Sequence, residues 1–125
     1  MSALENIKSV FKFSPTPYLI IQPDPPRFTV AFANDAYVQT THRHLDDIIG
    51  KGITKALTES SAENANQEKQ AIKNSLTRVL LSRKPQKLNL QNYDTGQSWS
   101  YESYPLFDET RHITFILCNL LEVSP

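Results

Sequence analysis

Histidine and cysteine are the side chains of this sequence with the most obvious chemistry, and there are few of them. His42 and His44 lie two residues apart, and such a pair points to different sides of a helix, which is poor geometry for binding one metal ion. The third histidine, His112, falls far along the chain in a predicted turn. With one cysteine and no suitably spaced histidine pair, the sequence predicts no metal site.

Motifs for catalysis are also missing. The sequence has no Gly-x-Ser-x-Gly elbow, no glycine-rich phosphate loop and no His-Glu-x-x-His pair. His42 and Asp46 are one helical turn apart and could form an acid–base dyad, but solvent-exposed helix pairs often have the same spacing. We therefore assign no catalytic residue. A small enzyme built on an α+β cup is kept as the less favoured alternative.

Tyrosines are better candidates for contacting a ligand, because a hydroxyl in the wall of an apolar pocket can orient a small molecule. The tyrosines considered are Tyr37, Tyr93, Tyr101 and Tyr104. The alternative is that they are half-buried residues of a sheet. The single cysteine, Cys118, lies in a strongly apolar segment, and the default for such a thiol is a buried and unreactive side chain.

Composition limits the cellular setting and the partners. At 125 residues the chain is expected to form one domain. Its 13 basic and 13 acidic residues balance, so no overall field favours nucleic acid or anionic lipid. No apolar run approaches the roughly 20 residues that span a bilayer, and no signal peptide is visible. One cysteine excludes an internal disulfide and fits a reducing compartment, so we expect a cytoplasmic location.

The N-terminal segment has the pattern of an amphipathic helix. Leu4, Ile7, Val10 and Phe11 recur at helical spacing, which predicts a helix over residues 3–13 that ends before the prolines at 15 and 17. We expect residues 1–14 to form this flanking helix and residues 15–125 to form the domain. The apolar stripe either packs on the sheet of its own chain or forms a dimer interface.

Two strands and a helical middle follow. Residues 18–22 are rich in β-branched and aromatic side chains, the prolines of residues 23–26 make a stiff turn, and residues 28–33 alternate as a second strand. Asn34 or Asp35 is well placed to cap the next helix, and for Asn34 this role is favoured over contact with a ligand. One broken or two short helices are predicted over residues 36–49, closed by Gly50.

The second half of the chain combines one long helix with three strands. A polar loop is predicted over 58–67, and apolar spacing then predicts a helix that ends near Ser82. The strands are predicted at 87–93, 98–105 and 113–121. The last strand is apolar on both faces, which is typical of a central strand. This order predicts an α+β fold with helices grouped over one face of an antiparallel sheet.

Several short motifs, in this order along the chain, are similar to those of the PAS domain family. They are Ser-Pro-Thr-Pro-Tyr at 14–18, Gln-Pro-Asp-Pro-Pro at 22–26, Asn-Asp-Ala-Tyr at 34–37, Ile-Gly at 49–50, Trp99 followed by Tyr-Pro-Leu-Phe-Asp-Glu at 104–109, and Glu-Val-Ser at 122–124. The chain thus resembles a PAS domain of the bacterial sensor-kinase type from about residue 15 to residue 123. It departs from the family pattern where Arg111 and His112 replace a hairpin glycine and Glu122 replaces an aspartate.

This resemblance implies a fold and a class of function. The fold would be a PAS-like five-stranded antiparallel sheet of order 2-1-5-4-3, with pocket-forming helices on one face and an N-terminal flanking helix. The chain would be a non-enzymatic sensing or protein-interaction module of a bacterial signal-transduction protein, regulating a histidine kinase or similar output. The alternative is a dimerisation or docking domain without a ligand. The expected partners are a second copy, a small molecule and a kinase or other transducer, and neither nucleic acid nor membrane.

The resemblance also guides the choice of pocket residues and cofactors. Candidate pocket residues are Tyr37, Leu45, Ile53, Leu80, Tyr93, Tyr101, Tyr104 and Cys118, and candidate dimer-interface residues are Leu4, Ile7, Val10 and Phe11. Related haem-binding domains use a histidine on the long helix, and residues 67–82 contain none. Light-sensing flavin domains use a cysteine in an Asn-Cys-Arg motif, which is missing from the helical middle. No cofactor is assigned, and non-covalent flavin or haem with another ligand stays open.

Overall fold

The computed structural model describes residues 3–41, 44–54, 63–91 and 98–123. Nine elements are named within these ranges. They are α1 (Ala3–Phe11), β1 (Tyr18–Ile21), β2 (Val30–Ala33), α2 (Asp35–Thr41), a short 3-10 helix (Leu45–Asp47), α3 (Glu63–Ser82), β3 (Gln86–Gln91), β4 (Ser98–Phe107) and β5 (Ile113–Val123). The predicted order of helices and strands is therefore confirmed.

All five strands belong to one antiparallel sheet with the order β2-β1-β5-β4-β3. The predicted topology is thus confirmed. β5 lies between β1 and β4, with Cys118 opposite Leu19 on one side and opposite Ser103 on the other. Both edges of β5 are therefore paired with a neighbouring strand. This central position agrees with its largely apolar sequence.

The sheet has two faces that differ in what covers them. The core face carries Leu19, Ile21 and Cys118, which pack in one apolar cluster with Tyr37 of α2 and with residues of α3. Because successive residues of a strand point to opposite faces, Ile20 lies on the other side, which we call the outer face. There α1 packs, with the Phe11 and Tyr18 ring centroids 4.6 Å apart.

Two tight turns have left-handed backbone conformations. Gly50 has φ of 80°, which glycine adopts without steric cost, and its N–H donates to the carbonyl of Val30. In the β4–β5 hairpin, Arg111 has φ of 69°, so an arginine takes the conformation for which the family resemblance led us to expect glycine. The Asp108 carboxylate supports this hairpin by accepting from the N–H groups of Thr110 at 2.8 Å and His112 at 2.9 Å.

One boundary was predicted wrongly. Residues 63–67, expected to belong to a polar loop, are the first turns of α3, which begins at Glu63. Glutamate, alanine and glutamine, which occupy three of these five positions, favour helix, so polarity alone was a poor guide to a loop. The rest of that predicted loop, residues 58–62, lies outside the described residues. No described helix has the length and apolarity that a bilayer-spanning segment requires.

Candidate functional site

A small cavity lies between the core face of the sheet and α3. It is lined by Ile21, Ile53, Ile72, Ser75, Leu76, Leu88, Tyr101, Ser103 and Cys118. The cavity volume is about 10 Å³. That is close to the lower limit for holding one water molecule, so the side chains nearly fill the interior.

The candidate pocket residues separate into two groups in the structure. Ile53, Tyr101 and Cys118 line the cavity. Tyr37 and Leu80 belong to the same apolar core without lining the cavity. Whether any of these residues binds a ligand stays a prediction, because their positions follow equally from packing.

The remaining pocket candidates lie elsewhere. Tyr104 was expected in the pocket, but it lies on the outer face, since alternation along β4 directs Tyr101 and Ser103 to the core. Leu45 was also expected there, but it is 40% exposed at the start of the 3-10 helix. Tyr93 lies outside the described residues.

Sequence reasoning missed two polar residues of the cavity wall. Ser75 is 6% exposed and Ser103 is 3% exposed. The signal was present, because Ser75 stands three residues after Ile72 on the apolar side of α3, and Ser103 shares the periodicity of Tyr101 in β4. The surface of the cavity itself is nevertheless almost entirely apolar.

Cys118 is a buried thiol without nucleophilic character. Burial raises the pKa of Cys118 to about 11, and a hydrogen bond from Ser103, whose Oγ lies 3.7 Å from Sγ, acts in the opposite direction. The thiol is therefore protonated at neutral pH, whereas a reactive cysteine needs the thiolate. This agrees with the prediction of an unreactive cysteine.

Asn34 connects the two faces of the sheet through four hydrogen bonds. Its Oδ1 accepts from the Tyr37 N–H at 3.0 Å, which confirms the predicted helix cap, and from the Tyr18 N–H at 2.9 Å. Its Nδ2 donates to the carbonyls of Thr16 at 2.8 Å and Phe11 at 3.0 Å. The side chain is fully buried, so one amide fixes the start of α2, the start of β1 and the end of α1.

The candidate dimer stripe on α1 is divided between buried and exposed positions. Phe11 packs against Tyr18, and Ile7 is half-buried. Val10, in contrast, is 70% exposed. The side chain of Leu4 is outside the described part of the chain. Phe11 thus packs on its own chain, whereas Val10 is exposed. The use of the stripe as a dimer interface stays a prediction.

The outer face carries a row of polar residues across three strands. Tyr18 stands opposite Asn119, and Asn119 stands opposite Glu102. The Tyr104 hydroxyl donates a hydrogen bond to the Glu102 carboxylate, and this bond, followed by burial, raises the pKa of Tyr104. Among the described residues, the buried Oδ1 of Asn119 and Oγ of Ser100 have no hydrogen-bond partner. Such atoms normally cost about 1–3 kcal/mol each.

Histidine chemistry finds little support. His44 and Asp46 are exposed and do not line the cavity, and His42 lies outside the described residues, so the proposed dyad is untested. Within the described ranges, no three histidine, cysteine, aspartate or glutamate side chains are grouped so that they could hold a metal ion.

Solved structures with the same sheet and helices identify the fold. The chain is similar to the PAS domain of Bordetella pertussis BvgS, with a TM-score of 0.77 and 20% identity over 98% of this chain and 87% of that one. The fold is that of PAS domains. The PAS domain of the fruit-fly ELK potassium channel also superposes, with a TM-score of 0.70 and 15% identity over 100% of both chains.

A third similar structure is a sensory box sensor histidine kinase from Vibrio cholerae, with a TM-score of 0.64 and 12% identity over 98% of this chain and 92% of that one. No protein-family model matches the sequence, and no curated protein matches it. At such low identities the comparisons establish the PAS fold and leave the ligand and the output of this chain to be argued from its own residues.

The chromophores known from related PAS domains do not fit this cavity. Ligand pockets usually measure roughly 300–1,000 Å³, whereas this cavity measures about 10 Å³. None of the described residues that line the cavity is a histidine, and the cysteine among them lies on β5 rather than in the helical middle. Flavin or haem would require the apolar core to be rebuilt, so no function is derived through either group.

Proposed function

We propose that this chain is a PAS signalling module that acts through protein contacts. The observation that carries the proposal is the nearly filled cavity of about 10 Å³, which gives a cofactor-sized ligand no room. A PAS fold without such a pocket still offers two surfaces for partners, the exposed edge of α1 and the outer face of the sheet. The module would pass on a signal by changing which partner these surfaces contact.

Self-association through α1 is the first such contact. Val10 is 70% exposed and Phe13 is 83% exposed, which places two large apolar side chains in water near the end of α1. A second copy that covers them would remove that apolar surface from water. The division of the chain into a helix over residues 1–14 and a domain over 15–125 belongs to this proposal, with Asn34 as the attachment between the two parts.

The output of the module is proposed to be a histidine kinase or a similar transducer in the bacterial cytoplasm. The support is the similarity to the Vibrio cholerae structure, whose name includes a sensor histidine kinase. The fruit-fly potassium channel domain has the same fold in a different setting, so fold alone does not select the output.

Sedimentation velocity of the parent chain and of Val10→Asp tests self-association. Because Val10 is largely exposed, the substitution should leave the fold intact while it places a charge in the proposed contact. We expect the parent to form dimers and Val10→Asp to be monomeric. Leu81→Asp is the matched control, since Leu81 is 80% exposed on α3 and should leave the dimer unchanged. A parent that stays monomeric, or a Val10→Asp variant that still dimerises, would contradict the α1 contact.

Sensing of a small ligand is the second candidate function. It is favoured by the cavity itself, which has Ser75, Tyr101 and Ser103 among its lining residues and would enlarge if neighbouring side chains rotated. Native mass spectrometry and an absorption spectrum of the purified chain distinguish the candidates. A mass equal to that of the polypeptide supports action through protein contacts, and a stoichiometric bound molecule supports sensing.

A further inference from the structure

A third exposed surface lies where the turn after α3 meets the β4–β5 hairpin. The Arg83 guanidinium donates a hydrogen bond to the carbonyl of Arg111. It also lies over the ring of Phe107, with Cζ 4.9 Å from the ring centroid. All three residues are exposed, Phe107 to 45%. We call Arg83, Phe107 and Arg111 the arginine corner.

Both arginines of the corner have a left-handed backbone conformation. Arg83 has φ of 60° and Arg111 has φ of 69°. This conformation is costly for a residue with a Cβ atom, whereas glycine adopts it freely. The two turns therefore do not themselves require arginine. Residues held in such conformations are concentrated at sites that bind or switch, which makes these two side chains candidates for a function.

The positive charges at the corner are not neutralised within the described part of the chain. There, none of Arg83, Lys84 and Arg111 has a carboxylate oxygen within the 4.0 Å of an ion pair. The Asp108 carboxylate, close by in the hairpin, instead accepts hydrogen bonds from the backbone of its own turn. Three exposed cations thus remain available to a group outside the chain.

Arg83 is held in a position from which it can bind a carboxylate. Its guanidinium carries five N–H donors, and the bond to the Arg111 carbonyl uses only one of its nitrogens. Exposed ion pairs are usually weak, partly because two flexible side chains must be ordered to form them. The contacts with the carbonyl and with the Phe107 ring already order Arg83, so this cost is reduced here.

We propose that the arginine corner binds a carboxylate in an acidic segment of a partner protein, with Arg83 as the main contact. A planar carboxylate can accept two parallel hydrogen bonds from one guanidinium. Apolar surface adjoins the cations, because Phe107 is 45% exposed and Leu81, two residues before Arg83, is 80% exposed. The segment that fits this surface therefore has apolar residues next to its acidic side chain.

The surrounding charges favour a carboxylate over a phosphate group or an anionic membrane. Asp108 and Glu109 stand in the same exposed hairpin as Arg111 and repel a second anion, and a doubly charged phosphate more than a singly charged carboxylate. The 13 basic and 13 acidic residues of the chain also balance, so no wider positive field attracts a membrane.

Titration of the isotope-labelled chain with the peptide acetyl-Leu-Glu-Glu-Leu-amide, followed by nitrogen–proton correlation NMR, tests the proposal. We expect saturable shifts of the backbone amides of Arg83, Lys84 and Arg111 and of the Arg83 Nε–H. The peptide acetyl-Leu-Gln-Gln-Leu-amide has nearly the same shape without the charges and should cause no such shifts. Equal shifts with both peptides, or no localised shifts with either, would overturn the proposal.

Two further probes test the choice of an acidic segment. Inorganic phosphate should bind the corner less tightly than the glutamate peptide does, and phosphatidylglycerol vesicles should not sediment the chain. Tighter binding of phosphate, or sedimentation with the vesicles that Arg83→Gln abolishes, would show that the corner recognises another anion.

Matched variants then assign the binding to the corner. Arg83→Gln should weaken binding of the glutamate peptide by about tenfold, because it removes a charge-assisted pair of hydrogen bonds. Arg78→Gln removes the same charge from an exposed position of α3 and should bind as the parent does. Unchanged binding by Arg83→Gln, or equal losses in the two variants, would overturn the assignment.

Arg111→Gly separates recognition from the conformation of the turn. Glycine adopts φ of 69° without cost, so stability in urea should not fall, while the peptide should bind less tightly. Glu109→Gln should bind the peptide more tightly, because a repelling charge in the hairpin is gone. A role of the arginines in folding alone would leave peptide binding the same in both variants, and that result would contradict the proposal.

The inference rests on the proposed action through protein contacts, but the two can fail separately. Val10→Asp alters the α1 contact and leaves the arginine corner intact, so we expect it to bind the glutamate peptide as the parent does. If the parent is monomeric and the peptide still binds, the α1 contact is wrong and the corner is correct. If Val10→Asp becomes monomeric and the peptide binds to neither chain, the reverse holds.

Discussion

The core face and the outer face of the sheet are built by the same strands and have opposite characters. On the core face, Leu19, Ile21 and Ile116 are at most 1% exposed, and the space among the cluster residues is about 10 Å³. On the outer face, neighbouring positions of the same strands carry Glu102, whose carboxylate accepts from Tyr104, and Asn119, whose buried Oδ1 has no partner among the described residues. Successive side chains of each strand point to opposite faces, so the two environments lie only one residue apart along the chain.

The difference assigns most of the stability to the core face. Removal of apolar area from water stabilises the fold in rough proportion to that area, and the core face provides most of it. Substitutions on the two faces should therefore have different consequences, and the residue that joins the faces should be the most sensitive.

Asn34→Ala should have the largest effect on stability. The substitution removes four hydrogen bonds at a fully buried position and leaves the Tyr18 N–H and the carbonyls of Phe11 and Thr16 without their Asn34 partner, whereas the Tyr37 N–H keeps the Asn34 carbonyl at 3.1 Å. We expect the free energy of unfolding to fall by about 4 kcal/mol, since each buried unsatisfied group costs about 1–3 kcal/mol. Chemical denaturation measures the loss. Asn89→Ala, at an exposed position of β3, is the control and should change stability little.

Asn34→Asp separates the hydrogen bond that Asn34 accepts at the start of α2 from those that it donates near the end of α1. Aspartate keeps the acceptor for Tyr37 and remains a good helix cap, but it loses both donors to Phe11 and Thr16. Hydrogen exchange should then increase at the end of α1 more than at the start of α2. Equal protection of α1 in both proteins would show that Asn34 does not hold α1 on the outer face.

Leu76→Ala and Leu121→Ala compare the same truncation on the two faces. Leu76 is 2% exposed in the cavity wall, and Leu121 is 39% exposed on the outer face. We expect losses of about 3 kcal/mol for Leu76→Ala and below about 1 kcal/mol for Leu121→Ala, because only the first leaves a cavity. Urea titrations of both variants provide the comparison. Similar losses would mean that the outer face contributes to stability as the core does.

Strand periodicity allowed much of this fold to be predicted. Alternation and apolar spacing located all five strands and α3, and the doubly apolar pattern of residues 113–121 placed β5 in the centre. The end of α3 at Ser82 was also predicted, since Pro85 follows closely. The start of α3 was not, because the polar residues from Glu63 onward favour helix and exposed loop alike.

The candidate site was predicted less well, because its geometry depends on contacts between distant segments. Tyr101 and Cys118 line the cavity, but nothing local to the sequence shows that larger neighbours reduce this cavity to about 10 Å³. Tyr104 was predicted as a pocket residue because of its hydroxyl, although the alternation of β4 directs it to the face opposite to that of Tyr101. The unpaired atoms of Ser100 and Asn119 become visible only when three strands are aligned.

A substitution in the β4–β5 hairpin should have the smallest effect on stability. It tests what holds the register of β4 and β5. The Asp108 carboxylate accepts hydrogen bonds from the Thr110 side chain and from the backbone of His112, and these bonds hold its pKa below the ordinary value of 3.8. A lowered pKa in the folded state means that the ionised carboxylate stabilises the fold at neutral pH. This contribution is present above the pKa of the unfolded chain and is lost as the pH falls through the lower pKa of the folded protein.

Asp108→Asn should therefore be slightly less stable than the parent at pH ~7, and the difference should shrink as the pH falls below the pKa of the folded protein. The amide oxygen still accepts from the backbone of the turn, so the register of β4 and β5 should survive and with it the separation of the two faces. Denaturation curves along a pH series measure the difference, with Glu109→Gln as the control for loss of one charge from the same turn. A constant difference at every pH would mean that the Asp108 carboxylate does not supply the pH dependence, and that the backbone conformation at Arg111 holds the turn without it.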